Sequence, residues 1–472
     1  MPRQPQTITG VTNRASQLFK QHRLATLVLI GCAMLSSASL AQTVADLHSF
    51  TARGNSQYPQ IVTLAQGRNG DLYGTSIGLT YGSIFRLQTT GTEADLFAFD
   101  DTDGYNPTSV TLGTDGNFYG TTQGGGSAGY GVLYKITPSG TYTVLHDFLG
   151  VSDGVYPHAA PIEASDGNFY GTTENGPNFL GATVYKYTSS GTFTTIYEFE
   201  DTTDYFIGTP LIQGSNGNLY GTAYYGTNNC GSIFELSTSG TLVMEYNFAC
   251  QGSFNPDGPL VQASDGNFYG TTYAGSGDIG GGVFRMSPDG SVKVLHTFTT
   301  TGSEGRNPAG GLVQATDGNL YGSTKLGGSS DYGTLYQITT SGAYTQLYSF
   351  IAPVGEYPTG SLLQHTDGLL YGTAYLGGAY GYGAAYSLNM GLGPFVTFVR
   401  PTSAAGGTVQ ILGQGFTGTT AVTFNGVQAT AFTVVSDTYM TAIVPSGATT
   451  GPVAVTTTGG TLTSNVSLRV KP

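Results

Sequence analysis

The chain has no tryptophan, and only 10% of its 472 residues are charged, against roughly 25% in ordinary soluble domains. Basic residues are the scarcest charge: 16 Lys and Arg face 29 Asp and Glu, a net charge of −13. Four of the basic residues and none of the acidic ones lie in residues 1–41, so the remainder carries 12 against 29, a net of −17. So acidic a chain excludes nucleic acid and anionic membrane surfaces as partners, since both select basic patches. Beyond residue 41 no apolar run approaches the roughly 18 residues of a membrane helix, so no membrane span is expected. Cysteine is short too, with three residues, Cys32, Cys230 and Cys250. Glycine is what abounds, with 73 residues, together with 12% aromatics. Long helices draw on Ala, Leu, Glu and Lys, so this composition speaks for strands and tight turns.

Residues 1–41 read as an export signal: Arg3, Arg14, Lys20 and Arg23, then "LATLVLIGCAML", then small residues ending "SASLA". Cleavage is expected after Ala41, giving a secreted or surface protein. "LIGC" at Leu29–Cys32 also fits, loosely, a box for lipid attachment to Cys32, although the apolar run continues past it. Two cysteines remain after removal, and an even count in an exported chain points to a disulfide.

"DGNFYGTT" stands at Asp115–Thr122 and returns at Asp166–Thr173 and Asp265–Thr272. Its central tyrosine recurs at Tyr73, Tyr119, Tyr170, Tyr220, Tyr269, Tyr321 and Tyr371, spaced 46 to 52 residues apart. That period suits propeller blades of four strands. "PLVQAS", "NFYGTT", "GGVFRM" and "SVKVLHTF" are the four in one unit, with Asp265-Gly266 expected as a two-residue hairpin turn. The seventh unit lacks a fourth strand, while "VADLHSF" at Val44–Phe50 matches fourth strands elsewhere. A seven-bladed β-propeller over residues 42–393, its last blade completed by the N-terminal strand, is therefore expected; such closure leaves no open sheet edge. Cys230 opens a third strand and Cys250 follows the fourth, which places them opposite each other across a hairpin. The alternative is two free buried thiols.

The pattern "DGNFYGTTYAGSGDIGGGVFRM" resembles the GloVer (Gloeobacter–Verrucomicrobia) extracellular repeat, over roughly Val44–Leu388. The resemblance implies a secreted or surface location and a repeated architecture, without a defined activity. The phrase is also similar to sensor-propeller repeats and virginiamycin B lyase-like blades, where Trp usually replaces this Tyr. After "GLGP" Thr and Val dominate, and "PTSAAGGTVQILGQGF", "VTFNG" and "IVPSGATTGPVAV" resemble an IPT/TIG immunoglobulin-like domain. It is expected over 394–472, as a spacer or interaction module in a small β-sandwich.

His48, His146 and His296 share a fourth-strand position that elsewhere holds Phe97, Tyr197, Tyr246 or Tyr348, so they read as packing residues; His158 and His365 stand apart. No catalytic residue is assigned. The Asp-Gly pairs fit neither an EF-hand nor an Asp box, so no cofactor is expected; calcium is conceivable but has no motif. What varies within the constant frame is the column four residues after each tyrosine: Ile77, Gln123, Glu174, Tyr224, Tyr273, Lys325 and Tyr375. Variable loops on a rigid scaffold carry recognition. Neighbouring loops add Tyr81, Tyr130, Phe179, Tyr225, Tyr332, Tyr380 and Tyr382, and tyrosine faces beside amides and carboxylates suit a neutral sugar polymer. Acidic connector residues, from Asp100 through Asp153, Glu200 and Asp257 to Glu356, read as a solvated rim. The expected function is a monomeric, non-catalytic binding or adhesion protein for a polysaccharide or cell-surface protein. The alternatives are a carbohydrate-active hydrolase or lyase, and a structural envelope component.

Overall fold

A computed structural model describes residues 42–52, 56–59, 63–177, 181–199, 206–226, 228–301 and 303–471. The export segment, its Ala41 cleavage point, Cys32, Phe179 and Glu200 lie outside these residues. The described chain is all strand and turn, without a helix.

Seven antiparallel sheets precede residue 393, six of four strands and one of five. The first is Ala65–Gln66, Leu72–Ser76, Ser83–Leu87 and Glu93–Ala98, in that order. In the last, Thr43–Ser49 pairs at the edge with Ala384–Asn389, taking the place of the fourth strand. Apolar clusters join each sheet to the next, and one joins Leu72 and Phe85 of the first sheet to Tyr371 and Ala385 of the last. Second strands such as Leu219–Ala223 are buried at every position, as a strand packed on both faces must be.

Each letter of the repeated phrase has a physical task. Asp115 Oδ1 accepts the Asn117 N–H, and its Oδ2 accepts from Asn117 Nδ2 and the Tyr119 hydroxyl. The same set recurs at Asp166 and Asp265. Phe169 stacks on Tyr119 of the preceding sheet at 3.9 Å, as Phe118 does on Tyr73 at 4.0 Å. Gly120 faces Tyr134 across the sheet, and a Cβ there would lie 2.4 Å from the tyrosine oxygen. Thr121 Oγ1 donates to the Ala159 carbonyl of the next sheet at 3.0 Å, and Thr271 to that of Gly310 at 2.9 Å.

The hairpin differs from expectation. Ala263 N–H bonds to Asn267 O and Gly266 N–H to Ala263 O, with Gly266 at φ +82°. The loop is thus three residues, Ser264 to Gly266: a type I turn closed by a left-handed glycine. The extra residue lets the aspartate turn back onto Asn267 and Tyr269.

First-strand amides bind sheet to sheet. The side chains of Gln213, Gln262, Gln314 and Gln364 accept the N–H of Ser165, Ser215, Ser264 and Thr316, and Gln66 that of Thr366, so the last sheet is tied to the first. Glu163 accepts the Thr114 N–H at 2.6 Å in the same way.

Residues 394–471 form two four-stranded sheets around Val409, Ile411, Phe416, Phe424 and Val455, with a parallel pair, Thr402–Ala404 beside Arg469–Lys471. This domain sits on the aspartate turns. The Arg68 guanidinium donates to Thr114 O and Gln410 Oε1 and lies 4.6 Å above the Tyr439 ring. Gln414 reaches Thr366, Arg400 pairs with Glu163 at 3.3 Å, and Lys471 and Arg469 donate to carbonyls of Ser165 and Gly214. Turns from five sheets are engaged. The opposite end of the sheets, where second strands run out into the variable column, makes no hydrogen bond to this domain among the described residues.

Candidate functional site

The free end is built from the connectors that bring the chain into each sheet. Six begin with a residue of positive φ before a proline: Tyr58, Asn106, Tyr156, Asn255, Asn307 and Tyr357, with φ between 51° and 58°. Asparagine tolerates this region, but tyrosine there costs about 1–2 kcal/mol and persists only where surroundings enforce it. Tyr156 N–H donates to Tyr130 O of the preceding sheet at 3.0 Å, and Tyr156 O accepts the Glu174 N–H at 3.0 Å. Tyr357 likewise joins Tyr332 O to the Tyr375 N–H. The proline needs a glycine opposite: a Cβ on Gly131, at φ +97°, would meet Thr122 O at 2.2 Å and Pro157 Cδ at 2.9 Å. Two residues beyond five of the strained positions come Thr108, His158, Asp257, Ala309 and Thr359; the last four line the central opening, and Thr108 lines the cavity beside it.

The variable column lands around that opening in three groups. Gln123 Nε2 lies 2.9 Å from His158 Nδ1, and His158 Nε2 lies 2.7 Å from Glu174 Oε2. With Nε2–H donated to the carboxylate, Nδ1 is left to accept from the amide. Tyr224 and Tyr273 approach at 6.3 Å and, with Phe206 and Tyr225, form an aromatic shelf. Lys325 and Tyr375 line a cavity of about 340 Å³ with Tyr357. A second cavity, of about 300 Å³, is lined by Ile77, Gln123, His158, Phe206 and Asp257, among others. Of the loop aromatics, Tyr382 packs against Tyr58 at 5.7 Å, as Tyr375 of the column also does.

Asp257 is the principal correction to the sequence reading, because it lies at the opening and not on a solvated outer rim. Burial among apolar and aromatic groups lifts its carboxyl to about 7, while Lys325 pulls the other way. Burial, with the nearby Asp257 charge second, pushes Tyr224 up to about 12 and raises Tyr273. Asp153 also leaves the rim: it is buried and accepts from the Leu149 and Gly150 N–H groups and from His146 at 2.9 Å. The fourth-strand histidines pack as expected, His146 stacking on Phe193 at 3.7 Å and His296 on Tyr344 at 4.2 Å.

His158, which stands apart in the sequence, links two members of the column. The signal that marks it and Asp257 is their shared offset from the Tyr-Pro or Asn-Pro pair that opens each unit. Cys230 and Cys250 are bonded, with Cα atoms 5.3 Å apart. Their bridge closes the loop behind Tyr224, whose carbonyl accepts from Asn255 Nδ2 at 2.6 Å. Among the described residues no group of three or more His, Cys, Asp or Glu side chains is placed to hold a metal ion.

No curated protein matches the chain in sequence. Among solved structures it is similar to TolB from Acinetobacter baumannii (16% identity, 60% of this chain and 64% of that one, TM-score 0.38). It is also similar to the extracellular domain of the putative hybrid two-component system BT3049 from B. thetaiotaomicron (12%, 91% and 58%, TM-score 0.48). An oligogalacturonate lyase in complex with manganese is a third (12%, 73% and 92%, TM-score 0.48). The chain spans less than two thirds of the first two, and each likeness is one of fold alone. The IPT/TIG domain model matches residues 394–470. The Gloeobacter/Verrucomicrobia repeat model matches residues 33–226, 151–315 and 299–414, and the chain belongs to that repeat family.

Proposed function

We propose that this is an exported, non-catalytic binding protein whose free end receives a polysaccharide while the immunoglobulin-like domain occupies the other end. The observation that carries this reading is the set of partly exposed aromatics at the free end: Tyr357 and Tyr375 line one cavity and Phe206 another, while Tyr58 and Tyr156 of the connectors and Tyr224 and Tyr273 of the column stand at the same end. Flat ring faces cover the apolar faces of sugars, and the amide and carboxylate groups between them take hydroxyls. The strained connectors hold these rings before any ligand arrives, which lowers the ordering cost of binding.

A second reading, a carbohydrate-active hydrolase or lyase, draws on Asp257 and His158 lining one cavity, since a carboxyl near 7 suits a general acid. One experiment separates the two. Purified Gln42–Pro472 is incubated with cell-wall and plant polysaccharides, and retention and released oligosaccharides are followed together. Retention without products, lost in the Tyr224→Ala/Tyr273→Ala/Tyr375→Ala variant, supports binding. Released products that vanish in Asp257→Asn would replace it with the enzyme. Neither retention nor products would overturn both.

A further inference from the structure

Several connector carboxylates have partners within the chain. Asp100 accepts from Thr102 and the Asp103 N–H, Asp153 from two backbone N–H groups and His146, and Glu304 lies 3.5 Å from His296. Among the described residues none donates a hydrogen bond to Asp257, and Lys325, the cation whose field reaches it, forms no ion pair with it. Asp257 is only half-buried, so what it meets from outside the chain comes through the cavity it lines, where water is its donor until a ligand replaces it. The charged and titratable groups around it are Lys325, His158, Tyr224 and Tyr273. Neither tyrosine hydroxyl has a hydrogen-bond partner among the described residues, and their rings stand 6.3 Å apart.

We propose that Asp257, flanked by Tyr224 and Tyr273, is a receptor for a positively charged nitrogen, and that the polymer taken at this end is an amino-sugar chain bearing free amines. The inference rests on the binding reading above and names its ligand class. An ammonium ion meets each feature in turn. It supplies the missing donor to the carboxylate, and tyrosine faces attract cations. It also restores the charge that burial penalises. A neutral chain would displace water from Asp257 without supplying a charge to balance it, and an anionic chain would be repelled by it. The excess of 29 acidic over 12 basic residues beyond residue 41 adds a long-range field that gathers polycations. Lys325 competes from a distance, so its removal strengthens the site.

The test is calorimetric titration of Gln42–Pro472 at pH 6.5 with β-1,4-linked hexamers of glucosamine and of N-acetylglucosamine. The glucosamine hexamer is expected to bind at least tenfold tighter. The near-isosteric Asp257→Asn abolishes that preference without lowering thermal stability, and Lys325→Met increases it. Equal or tighter binding of the acetylated hexamer, or an Asp257→Asn protein that keeps the preference, overturns the proposal. If neither hexamer binds while neutral glucans are retained, this inference falls and the binding reading stands. If glucans are not retained either, both fall.

Discussion

A carboxyl held at about 7 in the folded chain and 3.8 in the unfolded one makes Asp257 a liability whose size depends on pH. Between those values the folded protein keeps a proton that the unfolded chain has released. Stability therefore falls as pH rises through the window from about 4 to 7 and levels off above it. The difference of about three pKa units amounts to roughly 4 kcal/mol at pH 8 and under about 1 kcal/mol at pH 4. Asp257→Asn removes the titration and keeps the shape, so it should leave stability nearly unchanged at pH 4 and raise it by up to about 4 kcal/mol at pH 8. Glu93, which burial and the neighbouring Asp95 also lift to about 7, titrates in both proteins and cancels. Urea unfolding of the two proteins at pH 4, 6 and 8 reads the difference. A pH-independent difference, or a less stable variant at pH 8, would refute the reasoning and show that the carboxylate has a partner. The opposed effects, more stability with less binding, are what a residue kept for ligand and not for folding should show.

Four third-strand hydroxyls, on Tyr134, Tyr185, Tyr336 and Tyr386, are buried without a hydrogen-bond partner among the described residues, while Phe85, Phe234 and Phe284 hold the same position in other sheets. Tyr134→Phe and Tyr336→Phe should be neutral or stabilising by about 1 kcal/mol in urea titrations; a clear loss would reveal a buried water bridging the hydroxyl. Replacing Cys230 and Cys250 by Ser opens a loop with a sequence separation of 20, and should cost roughly 3 kcal/mol by denaturation of protein prepared under oxidising conditions. Gln66→Leu should cost roughly 2–3 kcal/mol, because the Thr366 N–H it caps is buried, whereas Gln262→Leu should cost about 1 kcal/mol or less, because water can replace it at exposed Ser215. Equal costs in denaturation would mean that these amides contribute by packing.

The fold was legible because its information is local and repeated. Seven copies of Asp-Gly-Asn-x-Tyr or its close variants carry a turn, a hydroxyl partner and a buried strand within a few residues, and misplacing one hairpin residue in the Asp-Gly turn changed none of the pairing. The binding end was half legible. The column from Gln123 to Tyr375 stood out by its variation, but Asp257 was read with the surface acids, because charge alone does not reveal burial. Its environment is set by Tyr273 of its own unit together with Tyr224 and Lys325 of the units on either side, and no spacing within one unit brings all three together. The docking of the last domain was hidden for a similar reason. It depends on places where the repeat fails: Leu112 replaces the amide that would cap the preceding turn, and Arg68 of that turn instead binds Thr114 O, Gln410 and Tyr439. Glu163 stands where Gln is usual, and its extra charge meets Arg400. Departures from the repeat thus mark the covered end as they mark the open one, and two kinds of departure can be told apart physically. Those at the turns find partners within the chain. Among the described residues Asp257, at the opening, finds none, and that difference is the reason to look for its partner in solution.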